Sequence, residues 1–197
     1  MNDPEPSDDK REPRDPLLPP SAMAKLFASR TVMLFGEITS ALAERVGAQL
    51  LALAAESRDP IRMLVHSQGG HVEAGDSIHD IVRFIEPEVR MIGTGWVASA
   101  GALVFVAAKP ENRFALPNTR FLLHQPLGGV GGAASDIEIE TRQIIAMRER
   151  LNRVFARETK QPYERIVADT QRNFWMNAAQ AQEYGLITRI VERTSDV

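Results

Sequence analysis

The chain has 197 residues, 44% hydrophobic and 25% charged, with a formal net charge of −3. That composition supports one folded domain with an ample core and carries no basic stripe of the kind that binds nucleic acid. There is no cysteine, which excludes disulfides and thiolate metal sites, and no uncharged apolar run approaches the length of a membrane span.

Residues 1–20, MNDPEPSDDKREPRDPLLPP, are charged and dense in proline. They read as a disordered tail, with order beginning near Ala24, so that 1–23 is tail and 24–197 is one domain. The acidic N-terminus is the opposite of a signal peptide, and a cytoplasmic location is the expectation. TVMLF at 31–35 is a short strand stopped by Gly36. Residues 39–57 place Leu42, Val46, Leu50, Leu51 and Leu53 at helical spacing. Residues 62–66 are a second strand, ended by SQGG at 67–70. Residues 73–86 form a helix that Pro87 stops. Residues 89–95 are a third strand, followed by a helix over about 98–109. This alternation predicts parallel crossover units and an α/β fold. Short strands follow at 113–116 and 120–124. A glycine-rich segment at 128–132 leads to a long amphipathic helix, capped by Ser135 or Asp136 and running to about Glu158. A helix opening at Pro162, a strand near 174–176, a short helix and a last strand at 186–191 complete the chain.

Chemistry concentrates in residues 93–129. Ser99 lies among Gly93, Gly95, Ala98, Ala100, Gly101 and Ala102. Small residues permit a sharp strand-to-helix turn, and a helix starting there directs free N–H groups at a developing anion. Alone, the segment reads more readily as a tightly packed helix with Ser99 as its cap. Gly69 and Gly70 let backbone approach a ligand, and with the N–H of Ala100 they could form an oxyanion site. Alone they are a tight turn. His124 ends the apolar FLLH and precedes Gln125-Pro126, an irregular turn where functional groups tend to sit. Alone it is a satisfied core histidine. His66, His71 and His79 match no metal-binding pattern, and the paired glycines at 128–129 and 131–132 lack the lysine of a phosphate loop. No metal or cofactor is expected.

Taken together, SQGG at 67–70, GWVASAGA at 95–102, RFALPNTRFLLHQPLGG at 113–129, ASDIEIE at 134–140 and AQEYGLI at 181–187 resemble the ClpP family, the proteolytic subunits of the ATP-dependent Clp protease. The resemblance implies a ClpP/crotonase-like α/β fold with stacked β-sheets and a protruding strand–helix handle. It implies a serine endopeptidase with Ser99 as nucleophile, His124 as general base, and Gly70 and Ala100 as oxyanion donors. Substrate is expected to lie extended beside Gly69 and residues 126–130, including Leu127, Gly128 and Gly129, as an added strand. The implied partners are unfolded polypeptide, other subunits in two stacked heptameric rings, homo-oligomeric or shared with a paralogue, and an AAA+ unfoldase. Neither nucleic acid nor membrane is expected.

Three departures from the family pattern stand out. The family's D-T-x-R-D segment reads Asp169-Thr170-Gln171-Arg172-Asn173 here, which puts Asn173 at the triad acid. An asparagine carbonyl can still accept the Nδ1–H of His124, but it brings no charge to stabilise an imidazolium. Arg62 and Leu64 stand where aromatics often line the pocket for the unfoldase, although Phe84 fits that pocket. The segment that forms axial pore loops is replaced by the proline-rich tail. These departures keep open a catalytically weak or regulatory ring subunit beside an active paralogue. More distantly, the same core serves crotonase-type acyl-CoA enzymes.

Overall fold

A computed structural model of the chain describes residues 19–197. Residues 1–18, which hold most of the expected tail, lie outside the described residues. Helix α1 (Pro20–Ala28) begins inside the stretch assigned to the tail. Pro20 has the φ that a first helical position needs and no N–H to leave unpaired, so the feature that read as tail composition also starts a helix.

β1 (Thr31–Phe35), α2 (Ser40–Glu56), β2 (Ile61–Ser67) and α3 (Val72–Phe84) follow in the expected order. Thr39 caps α2 by accepting from the Leu42 amide at 3.2 Å. Leu42, Val46, Leu50 and Leu53 bury one face of that helix, and alternate residues of β2 are buried as the strand period requires. Each such aliphatic side chain contributes about 1.5–3 kcal/mol by leaving water. Among the described residues the seven strands form one connected sheet. β1, β2, β3 (Val89–Ala98), β4 (Arg113–Ala115) and β7 (Arg189–Ile190) are parallel neighbours in that order.

The third strand is longer than its sequence indicated and the helix after it shorter: β3 runs to Ala98, and α4 spans Ala100–Phe105. The cause is a bulge. Val65 pairs with Gly93, but Ser67 pairs with Val97, so β3 spends four residues where β2 spends two. Gly95 carries φ +60°, and a Cβ there would lie 2.3 Å from Nδ1 of His66. The glycine that reads as a strand end is an interior bulge. Beyond it the sheet forks. Before the bulge β3 pairs with β4; after it, Trp96–Ala98 pair with β5 (Arg120–Leu123), which pairs antiparallel with β6 (Phe174–Asn177). This second branch carries the candidate site.

Helix α5 (Ala134–Thr159) has Ala133 at its N-cap and no side-chain cap bond, so neither Ser135 nor Asp136 caps it. Its buried residues, from Leu151 to Thr159, all lie in its last turns, while Ile137, Ile139 and Ile145 remain exposed. The helix is a protruding handle rooted at its C-terminal end. An ionic cluster fixes that root. Fully buried Arg113 donates to the carbonyls of Val106, Ala108 and Glu158 and to the Glu158 carboxylate at 2.5 Å; Arg157 and Arg83 reach the same carboxylate. Arg150 grips Asp76 of α3 with two bonds, 2.8 and 2.6 Å. α6 (Tyr163–Thr170) has Pro162 as its N-cap, and α7 (Ala178–Tyr184) is closed by a reciprocal Asn177–Gln180 capping box. β7 is shorter than the strand expected over 186–191.

Candidate active site

Ser99 joins β3 to α4 with φ 55° and ψ −121°, a conformation that costs a non-glycine residue on the order of 1–3 kcal/mol. Three contacts over-determine it. Its N–H donates to the Leu122 carbonyl of β5 at 3.0 Å, and its carbonyl accepts from Ala102 and Leu103 at 2.9 and 3.1 Å. Gly69 lies against it so closely that a Cβ on Gly69 would meet the Ser99 Cβ at 2.6 Å and its Oγ at 3.1 Å. The small residues around Ser99 therefore serve a strained elbow that holds the hydroxyl clear of the helix. α4 itself is buried throughout.

The SQGG turn is built from within. Ser67, buried, accepts the Gly69 amide on its Oγ at 3.0 Å, a role that the sequence reading did not assign to it. Gly69 then accepts from Ile38, and His71 donates to Ile38, the pattern of a parallel bridge between Gly70 and Ile38. In that pattern the Gly70 N–H points away from Ile38. Among the described residues neither the Gly70 nor the Ala100 amide has a hydrogen-bond acceptor, and Ala100 is the first residue of its helix. Two unpaired donors thus flank the Ser99 elbow, the arrangement that stabilises an oxyanion.

His124 and Asn173 are brought together by strand register. β5 and β6 pair Leu122 with Trp175 and Leu123 with Phe174, and His124 directly follows the one strand as Asn173 directly precedes the other. The Gln125 amide donates to the Thr170 carbonyl at 2.7 Å and Gln125 Nε2 to the Gln171 carbonyl at 3.1 Å, which ties the residue after His124 to the chain just before Asn173. His124, Asn173, Gln125, Leu127, Gln171 and Arg172 line a surface cleft of about 340 Å³. Burial holds the His124 imidazole below the usual histidine range. It is therefore neutral at pH 7 and able to accept a proton.

Among the described residues the side chains of Ser99, His124 and Asn173 make no hydrogen bond to one another. Such bonds are often long before substrate binds and tighten in the complex. Asp169, the other acid of its segment, is engaged elsewhere: it accepts from the Tyr184 hydroxyl at 2.8 Å and lies 3.6 Å from Arg165. Residues 126–132 make no backbone hydrogen bonds among the described residues, and Leu127, Gly128 and Gly129 are exposed, so this segment offers unpaired N–H and C=O groups beside the cleft. The remaining histidines are dispersed. His66 lies 3.1 Å from the Thr94 carbonyl, His71 is 3.5 Å from Glu73, and His79 is 3.0 Å from Asp80. No helix among the described residues is long and apolar enough to cross a membrane.

The Clp protease family model matches residues 20–194. The ATP-dependent Clp protease proteolytic subunit 3 of Rhizobium meliloti is 54% identical over 193 residues, 97% of this chain and 99% of that relative. The ATP-dependent Clp protease proteolytic subunit 2 of Pseudomonas aeruginosa is 56% identical over 162 residues, 82% of this chain and 81% of that relative. Among solved structures, ClpP1 from Listeria monocytogenes superposes with a TM-score of 0.81 at 51% identity, covering 89% of this chain and 98% of that one. An asparagine-to-aspartate mutant of the same protein gives a TM-score of 0.83 at 51% identity, covering 88% of this chain and 98% of that one.

Proposed function

Because this chain belongs to the Clp protease family and is on that ground a serine endopeptidase, we propose that Ser99, His124 and Asn173 carry its chemistry as a Ser-His-Asn triad. The observation that carries the reading is the register of the forked branch. It puts the strained Ser99 elbow, a neutral half-buried histidine and an asparagine at the adjoining ends of three hydrogen-bonded strands.

In the reaction, one nitrogen of His124 takes the hydroxyl proton as Ser99 Oγ attacks a peptide carbonyl. The Asn173 side-chain oxygen accepts the other ring N–H and keeps that tautomer in place. The tetrahedral oxyanion is held by the Gly70 and Ala100 amides. His124 then protonates the leaving amine, and water, deprotonated in turn by His124, releases the acyl group from Ser99. The substrate lies as an added strand against Gly69, Leu127, Gly128 and Gly129, using the unpaired backbone there. A charge-free asparagine lowers turnover, because the imidazolium formed in the first step has no counter-charge.

The partners follow from the same family. Exposed Ile137, Ile139 and Ile145 on the handle support pairing of handles between two rings of subunits. Phe84, 81% exposed, and the apolar cluster of Leu64, Ile92, Phe114 and Val191 support docking of a loop from an AAA+ unfoldase that feeds in unfolded polypeptide. A regulatory subunit with little activity of its own is the second reading, favoured by Asn173 and by the absence of a Ser99–His124 hydrogen bond among the described residues. A serine-directed fluorophosphonate probe separates the two. Labelling of wild type, lost in Ser99→Ala, supports the peptidase; wild-type protein that remains unlabelled in its assembled form supports the second reading.

A further inference from the structure

The solvent face of the forked branch carries an aromatic and cationic platform with no role in the mechanism above. The Trp96 and Trp175 rings stack at 6.2 Å with their planes 10° apart, and the Arg120 guanidinium lies over the Trp175 ring at 4.4 Å from its centroid. Trp96 is 39% exposed, and Arg120 is exposed. Among the described residues Arg120 makes no hydrogen bond and has no carboxylate partner, although the chain holds 26 acidic residues against 23 basic ones. Its N–H edges are open while its face is held.

The platform shares a surface with the catalytic groups. Alternate residues of a strand point to one face. Arg120 and Leu122 share a face of β5 and Trp175 shares it on β6, with Trp96 opposite Arg120 in register and Trp175 opposite Leu122; Trp96 lies three residues before Ser99, His124 directly follows β5 and Asn173 directly precedes β6. At about 3.3 Å per residue, Trp175 lies about 7 Å from Asn173 and Arg120 about 13 Å from His124 along their strands. An extended substrate covers that span with residues two to four positions from the cleaved bond. Because β5 runs from Arg120 toward His124 and the chain then continues into 126–130, the platform takes the part of the substrate on the other side of that bond from the part held by 126–130.

We propose that Trp96, Trp175 and Arg120 form a specificity subsite for substrate polypeptide bearing an acidic side chain two to four residues from the scissile bond. The guanidinium takes the carboxylate on its open edge, and the indole of Trp96 covers the apolar stem or a neighbouring side chain. The proposal rests on the reading that Ser99 and His124 form the peptidase site.

The chain has two tryptophans, and both are in the platform, so intrinsic fluorescence reports on it directly. The test titrates full-length Ser99→Ala protein with two decapeptides differing by Asp or Lys at one position, followed by tryptophan emission. Expected is a change in emission with about three- to fivefold tighter Kd for the Asp peptide, within the reach of one exposed ion pair supported by a cation–π contact. Arg120→Gln in the same background should bring the ratio to about one, and Trp96→Leu should weaken both peptides. Equal Kd values in the parent, a ratio that survives Arg120→Gln, or binding seen by anisotropy of a labelled peptide without any change in emission would each overturn the subsite. Wild-type protein that cleaves no peptide would instead overturn the triad reading, while the fluorescence ratio remained as measured.

Discussion

Asn173→Asp is the sharpest perturbation of the proposed chemistry. It adds one negative charge to the cleft that Asn173 and His124 both line. A carboxylate on that lining that contacts the ring stands at roughly 4 Å. Two unit charges at that distance interact by about 4 kcal/mol at an effective dielectric of 20, or near three pH units. Asn173 is exposed, so solvent screening reduces this several-fold, to about one pH unit. In wild type, burial holds His124 below the usual histidine range, so kcat/KM is retained into mildly acid pH and falls as pH drops through that lowered value. In Asn173→Asp the added charge favours the imidazolium, and the acid limb moves upward by about one pH unit. The same stabilisation applies to the imidazolium formed as Ser99 attacks, which corresponds to about tenfold in kcat/KM on the plateau. The assay is hydrolysis of a short fluorogenic peptide from pH 5 to 9 for both proteins. An unmoved acid limb, with no gain on the plateau, would refute the placement of Asn173 beside the base.

Other perturbations test separate parts of the argument. Gly69→Ala places a methyl 2.6 Å from the Ser99 Cβ on a residue with φ +99°; peptide hydrolysis and fluorophosphonate labelling should both fall by at least tenfold while circular dichroism is retained. Glu158→Ala leaves the buried Arg113 guanidinium without its carboxylate, at a cost of about 3 kcal/mol, read as a drop in Tm of roughly 6–12 °C. Ile139→Glu, at a residue 56% exposed on the handle, should shift the mass in solution toward a single ring or smaller species without lowering the far-ultraviolet helix signal; an unchanged mass would remove that face from the assembly.

Much of the fold follows local rules and is legible residue by residue. The apolar spacing in α2 and α3 fixes both helices to within a residue or two, and the alternating strands and helices fix the parallel sheet. Gly95 shows where local reading stops. A glycine after an apolar run reads as a terminus, and only the two-residue mismatch against β2, with His66 beneath it, reveals a bulge inside a longer strand. Pro20 shows the reverse: proline density suggested a tail, where one proline starts a helix. Within the site, Ser99 and His124 stand out through their unusual neighbours. The meeting of His124 with Asn173 depends on the register of two strands far apart in sequence, and the Trp96–Trp175 stack likewise depends on a fork that no periodicity encodes.

The handle has a mechanical meaning as well. It is clamped over its last turns by Met147, the Arg150–Asp76 bonds, Leu151, Phe155 and the Arg113–Glu158 pair, whereas residues 134–146 extend about 20 Å beyond that root. Such a cantilever amplifies: a 10° tilt at the clamp carries the tip about 3.5 Å. Its free end continues, through nine residues (125–133) without regular structure, straight back to His124. His124 is fixed separately, by the Gln125 bonds to Thr170 and Gln171, so the irregular residues act as a joint between the arm and the base.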